Sequence, residues 1–324
     1  ILGLLGYAIS LIALITPLFL VERNMLHITF LFPALILGRL INGLVGSATR
    51  PASFAYVADT TSKEKRTLKF ARLESSFLLG TVAGPLIGGF LFLITKETPF
   101  YVFSFFALIA AFGIYSKLEP TNPKRNEEKS LNKIKWTSST VLPFLAFAAI
   151  LSLCQASLIQ SIGFYITDLF GNFQDLPTLI SMTFALLSIS TIFSQYIFTD
   201  AFPINNYQLL LFGSILLVFS YFTMAYIQTI SVYYLSIIIL GFGFGMTRPA
   251  LSSALSLAQT PENQGSAAGY YGSVIPIGHM TTPFIAMPIY SINPAYLYYF
   301  SSILCIGLIL FIISHPVLRK TQTI

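Results

Sequence analysis

The chain has 324 residues, of which 55% are hydrophobic and 9% charged, with a formal net charge of +6. An average soluble domain carries roughly 25% charged residues, so a soluble globular enzyme is all but excluded, as are a disordered chain and a small disulfide scaffold. Cys154 and Cys305 both lie in apolar runs and carry no redox information.

A helix that crosses a bilayer needs about 20 mostly apolar residues. Ten blocks reach that length: 1–20, 29–58, 70–95, 99–116, 138–167, 176–198, 207–227, 231–257, 266–290 and 295–315. They lack period-two alternation, which predicts helices rather than barrel strands. The first block has no basic flank and does not have the form of a signal peptide; the chain opens at Ile1 inside an apolar run.

Basic residues in short loops mark the cytoplasmic side. Segment 59–72 holds Lys63, Lys65, Arg66, Lys69 and Arg72. Segment 117–136 holds Lys117, Lys124, Arg125, Lys129, Lys133 and Lys135, and the tail holds Arg319 and Lys320. Alternate threading puts these 13 of the 18 basic residues on one side and leaves only Arg23 and Lys96 opposite. The positive charge is therefore a topology signal and not a nucleic-acid footprint. Residues 118–137 form one polar stretch with two prolines, which predicts a cytoplasmic linker between an N-terminal bundle, 1–117, and a C-terminal bundle, 138–324.

An internal repeat runs at an offset of 198 residues. Thr49-Arg50-Pro51-Ala52 matches Thr247-Arg248-Pro249-Ala250, and Gly43, Glu64, Gly80 and Pro85 match Gly241, Glu262, Gly278 and Pro283. Matched blocks have the same predicted orientation, so the repeat is parallel, as in two-bundle transporters. Blocks 138–167 and 176–198 have no upstream partner. The expectation is an all-α membrane protein of two parallel pseudo-repeat bundles, with 4 + 6 spans here and 6 + 6 in a complete chain that lacks its first two helices in this sequence.

Three stretches resemble the major facilitator superfamily, in its drug:proton antiporter branch: Gly38-Arg39-Leu40-Ile41-Asn42-Gly43; Tyr56-Val57-Ala58-Asp59 with the basic loop Lys63–Arg66; and Gly80-Thr81-Val82-Ala83-Gly84-Pro85-Leu86-Ile87-Gly88-Gly89. The third is similar to the motif that the family associates with export by antiport. The resemblance implies proton-coupled efflux of a small amphipathic molecule by alternating access, in a bacterial inner membrane, with Asp59 pairing to a basic residue of the family's signature loop, which is expected to precede Ile1, and so stabilising one conformation. Two alternatives stay open: import of a small metabolite, and a non-transporting remnant.

The residues also speak apart from the family. Gly80, Gly84 and Gly88 lie along one helix face, where small side chains let helices approach, and Pro85 removes a backbone donor and bends the helix; Gly89 follows. Such a stretch is either tight packing or a bent seal. Arg39 follows Phe30 by nine residues, roughly 14 Å deep at 1.5 Å per residue, near the middle of a hydrocarbon core about 30 Å thick. Intramembrane charges are functional candidates, so Arg39 is a gating or coupling residue, or a structural one bonded to carbonyls. Arg50, Arg248, Gln155, Gln160 and His279 are candidates to line a substrate cavity; interhelical hydrogen bonds explain the glutamines equally well. No acid falls in mid-span. The expected partners are a small-molecule substrate, protons and the lipid bilayer, for a monomer with a cytoplasmic C-terminus. No nucleic acid, cofactor, metal or enzymatic activity is expected.

Overall fold

The structure, a computed structural model, describes residues 1–61, 63–118, 134–171, 176–198, 204–227, 229–260 and 263–319, without some side chains between 48 and 85 and those of 264 and 265. Among the described residues all regular structure is helical. The chain divides into two compact units, Ile1–Lys129 and Ser130–Ile324.

The first unit contains α1 (Leu2–Glu22), α2 (Leu31–Val45), α3 (Thr49–Thr60), α4 (Lys63–Phe92) and α5 (Thr98–Lys117). The second contains α6 (Leu142–Phe170), α7 (Leu176–Tyr196), α8 (Asn206–Met224), α9 (Ile230–Leu257), α10 (Gln264–Ile292), α11 (Pro294–Ser314) and the short α12 (Pro316–Arg319). Eight segments among the described residues are long and apolar enough to cross a membrane, against the ten expected. Blocks 70–95 and 266–290 fold as the long helices α4 and α10, but both are diluted: α4 begins in the basic run, and α10 carries Pro276, Pro283 and Pro288 among glycines and hydroxyls.

Block 29–58 is not one helix. A 3-10 turn at Gly46–Ala48 separates α2 from α3. Pro51 has no N–H to offer the Ser47 carbonyl four residues back, and Gly46 is a poor helix former. The matching stretch of the second unit, with Phe244 in place of Gly46, runs unbroken through Pro249 in α9. Packing decides the difference: over their most apolar stretches, 56% of the α9 residues are buried but only 6% of those in the segment containing α2.

The repeat is visible in the helix pairings. α1 packs on α2 and α5 as α8 packs on α9 and α11, and α4 meets α3 and α5 as α10 meets α9 and α11. The second unit adds α6 against α10 and α7 against α9, with no counterpart in the first among the described residues. The glycines register this. A Cβ on Gly241 would lie 2.5 Å from Ser190 Cβ and 2.8 Å from the Leu187 carbonyl oxygen of α7. One on Gly278 would lie 2.5 Å from the backbone nitrogen of Leu153 in α6. Their matches Gly43 and Gly80 face open space. Without a hydrophobic drive between helices in lipid, close approach at small residues is what joins them.

In the first unit, Ser104 Oγ donates to the Ala8 carbonyl at 3.0 Å and Asn42 Nδ2 to Ser10 Oγ at 2.9 Å, which ties α5 and α2 to α1. At the other end of α1, Arg23 lies over the Phe19 ring, 4.5 Å from its centroid. Lys96 pairs with Glu22, whose hydrogen bond holds the ammonium above its ordinary range. Gly278→Ala is expected to overpack the α6–α10 contact at a cost of about 1–3 kcal/mol, whereas Gly80→Ala, inside α4 with open space at its Cβ, is expected to stabilise by up to about 1 kcal/mol. Thermal unfolding midpoints of the purified variants check the contrast.

Candidate functional site

Of the cavity candidates in the second unit, Gln160 on α6 meets the backbone of His279 on α10. Pro283 lacks the N–H that would bond the His279 carbonyl, four residues earlier in α10. Gln160 on α6 supplies the donor: its Nε2 lies 3.2 Å from that oxygen. Two turns back along α6, Ser152 Oγ donates to the Ile275 carbonyl at 2.6 Å. Side chains of one helix thus hold the backbone of the other on either side of Gly278. Of the two readings for Gln160, the interhelical hydrogen bond is the one realised.

His279 is half-buried and within Coulombic reach of Arg248. Arg248 is half-buried in α9, and its carbonyl accepts from the Tyr271 hydroxyl of α10 at 3.5 Å. Gln155 is half-buried and has no hydrogen bond among the described residues. Five residues before Gln160, it sits about 140° away around the helix at 100° per residue, so the two amides serve different faces. The cluster offers an imidazole, a guanidinium and an amide, and no carboxylate.

Arg39 lies apart, on α2. Its side chain is exposed and makes no ion pair or hydrogen bond among the described residues. With Phe32, Leu35, Ile36 and Leu40 it lines an open apolar hollow of about 370 Å³. Among the described residues no carbonyl bonds it, and it lies on an apolar face. In the antiporter-type stretch, Gly80 and Gly84 meet nothing, while a Cβ on Gly88 would touch the Phe103 ring of α5 at 3.4 Å; Gly89 is half-buried. The side chains of Arg50, Asp59 and Pro85 lie outside the described residues.

The remaining histidines have local roles. His27 Nδ1 accepts from the Thr29 amide at the start of a 3-10 turn, and His315 Nδ1 accepts from the Val317 amide. No group of three metal-ligating side chains occurs among the described residues.

A feature not anticipated is a set of buried tyrosines in the second unit. Tyr221 donates to the Cys154 carbonyl at 2.7 Å, Tyr165 to the Met224 carbonyl, and Tyr290 to Asp168 Oδ2. The Tyr233 hydroxyl meets Thr183 Oγ1 at 2.9 Å. The Tyr165 and Tyr298 rings pack at a tilt of 57° with centroids 4.4 Å apart. Tyrosine at both ends of apolar blocks was the available signal, since a buried hydroxyl needs a partner.

Comparison with known proteins places this arrangement. The Major Facilitator Superfamily model matches residues 1–283. The chain is 28% identical over 284 residues to multidrug resistance protein 1 of Bacillus subtilis, covering 85% of this chain and 72% of that protein. It is 25% identical over 285 residues to the quinolone resistance protein NorA of Staphylococcus aureus (strain MRSA252), with the same coverage. A 68-residue stretch is 46% identical to the class B tetracycline resistance protein of Escherichia coli, 21% of this chain and 17% of that one. Among solved structures, the human organic anion transporter MFSD10 superposes with a TM-score of 0.67 at 19% identity, over 96% of this chain and 75% of its own.

The Gln160 bond makes a double-substitution test. Gln160→Leu leaves the His279 carbonyl unpaired and is expected to destabilise the protein by about 1–3 kcal/mol. Pro283→Ala restores the helical N–H, so the same substitution in that background costs much less; unfolding midpoints of the four proteins measure the coupling. With its helical repeat, its spans and these likenesses, the chain belongs to the major facilitator superfamily and is a multi-pass membrane protein.

Proposed function

We propose that the protein is a secondary transporter, without enzymatic activity, that exports a small amphipathic molecule by alternating access, with proton entry as the driving force. The observation that carries this reading is the likeness over 85% of the chain to a multidrug resistance protein. The quinolone and tetracycline resistance proteins lend it the same direction. The sequence stretch Gly80–Gly89, similar to the antiport motif, supports coupling, and Arg39 is the residue through which it acts. An exposed guanidinium on an apolar face attracts a carboxylate or an anionic substrate group strongly, because little water competes there.

Gln155, His279 and Arg248, with Arg50 as the repeat partner of Arg248, line the substrate path in this reading, and Gln160 shapes it by holding the bend at Pro283. Asp59 stabilises one conformation through a basic partner. The protein sits as a monomer in a bacterial inner membrane with its C-terminus in the cytoplasm, and residues 118–137 join bundles 1–117 and 138–324. In cells that express the protein, collapse of the proton gradient is expected to raise accumulation of an amphipathic dye; a fall marks import instead. Arg39→Ala is expected to abolish gradient-driven efflux while membrane insertion, followed by immunoblot of the membrane fraction, is unchanged. Undiminished efflux by that variant removes Arg39 from the mechanism.

A further inference from the structure

Cys154 and Cys305 are the only cysteines of the chain, and neither belongs to the Gln160–His279 cluster. They lie on α6 and α11, and both are fully buried free thiols. Three observations bring them together. Cys154 Sγ donates to the Ser301 carbonyl of α11 at 3.8 Å, one turn before Cys305. The Cys305 thiol lies within hydrogen-bonding reach of the Cys154 thiol. Tyr221 of α8 is within Coulombic reach of both and donates to the Cys154 carbonyl at 2.7 Å, which holds that turn of α6 in place.

The pair stands at mid-height in the unit. Cys154 comes twelve residues after the start of α6 and Cys305 eleven after the start of α11. That is roughly 17 Å along each helix at 1.5 Å per residue, near the middle of a hydrocarbon core about 30 Å thick. Both belong to the apolar core of the unit, with Leu151, Leu217 and Leu308. Buried thiols fill such a core as small apolar side chains do. They also exchange their protons for a metal ion, and charge decides which ion this core accepts. A bis-thiolate of a monovalent ion, Cu⁺ or Ag⁺, keeps a net negative charge, which is costly in apolar surroundings. A divalent ion on two thiolates is neutral. Zn²⁺ takes four ligands, and Mg²⁺ and Ca²⁺ take oxygen ligands, whereas Hg²⁺ is divalent and binds two sulfurs in a line.

We propose that Cys154 and Cys305 form a binding site for one soft, two-coordinate divalent ion, of which Hg²⁺ is the type, held as a neutral bis-thiolate between α6 and α11. The exchange balances without a redox step. Neutral HgCl₂ carries no net charge into the apolar core. Two S–H and two Hg–Cl bonds break, two Hg–S bonds form, and two HCl leave. The bound ion ties α6 to α11 at mid-height, where the Cys154–Ser301 hydrogen bond is otherwise a weak link, since a thiol is a poor donor. The site does not rest on the efflux reading.

Intact-protein mass spectrometry of the purified, reduced full chain tests it, after incubation with HgCl₂ and exchange into buffer with a competing monothiol. The expected product carries one mercury per chain, has lost two hydrogens and retains no chloride, and its thermal unfolding midpoint is raised. Cys154→Ala and Cys305→Ala, with helicity by circular dichroism retained, each hold the ion by one sulfur. Each forfeits the gain from a second ligand fixed in place, so mercury retention against the monothiol should fall at least about tenfold, with no rise in midpoint. Two mercury atoms per chain, each with its chloride, overturn the proposal. So does the absence of mercury after incubation, or undiminished retention by either folded variant. Binding is read here without transport, so this proposal and the efflux reading fail separately.

Discussion

A backbone carbonyl inside a bilayer has no water to turn to, so every one that a helix cannot satisfy must find a donor within the protein. That constraint organises the second unit. Its long helices contain Pro249, Pro276, Pro283 and Pro288, each of which deprives a carbonyl four residues earlier of its ladder bond. Gln160 answers one of them directly. Hydroxyls serve other carbonyls across helix contacts: Ser194 to Phe242, Ser220 to Ser236, Ser302 to Val218, and Tyr221 to Cys154. The Ser194 bond and the Gln160 bond span contacts where the backbones are close because Gly241 and Gly278 have no side chain to hold them apart, and Gly213 and Gly243 do the same between α8 and α9.

The same constraint explains why two halves of one repeat look different. The pairings of α1, α2 with α3, α4 and α5 reproduce those of α8, α9, α10 and α11, so the repeated residues encode the same neighbours. Only the second unit has α6 and α7. Gly241 and Gly278 meet those two helices, and their counterparts Gly43 and Gly80 meet nothing. The proline-bearing stretch Thr247–Ala250 stays inside the continuous α9; Thr49–Ala52 opens α3 after the 3-10 turn at Gly46–Ala48. The shared Thr-Arg-Pro-Ala stretch thus lies within a continuous helix in one unit and after a break in the other, where both the preceding residues, Gly46-Ser47-Ala48 against Phe244-Gly245-Met246, and the packing differ.

Much of the fold was legible because it is written in runs. Apolar blocks of 20 residues, a repeat with a four-residue identity and a helix face of glycines are all local patterns. The break at Gly46 was less so, since Pro51 and Pro249 share their immediate Thr-Arg and Ala neighbours and the burial that also separates the two stretches is not local. Gln160 could be placed on α6 but not assigned a role, because its partner is a main-chain atom 119 residues away in sequence. Asp168 and Tyr290 are 122 residues apart, and nothing in either neighbourhood announces the other. For Arg39 the sequence marked an ion where ions are rare, while its exposure, with no partner among the described residues, emerges only from the arrangement of α1, α2 and α5.

Helix α10 touches three of the polar groups of the second unit. Near its start Tyr271 contacts Arg248, in its middle the His279 carbonyl meets Gln160, and near its end Tyr290 holds Asp168. It is also the helix whose ladder is interrupted three times, at carbonyls that Pro276, Pro283 and Pro288 leave without an N–H. A helix bends most readily where its ladder bonds are missing. The α6–α10 contact is pinned on one side of Pro283 by Ser152 and Gln160, so a change of bend there leaves Tyr271 and Arg248 in register and displaces Tyr290 with its carboxylate. The element that links these polar groups is thus the one least able to keep them rigid, and the Gln160 amide sets where it yields.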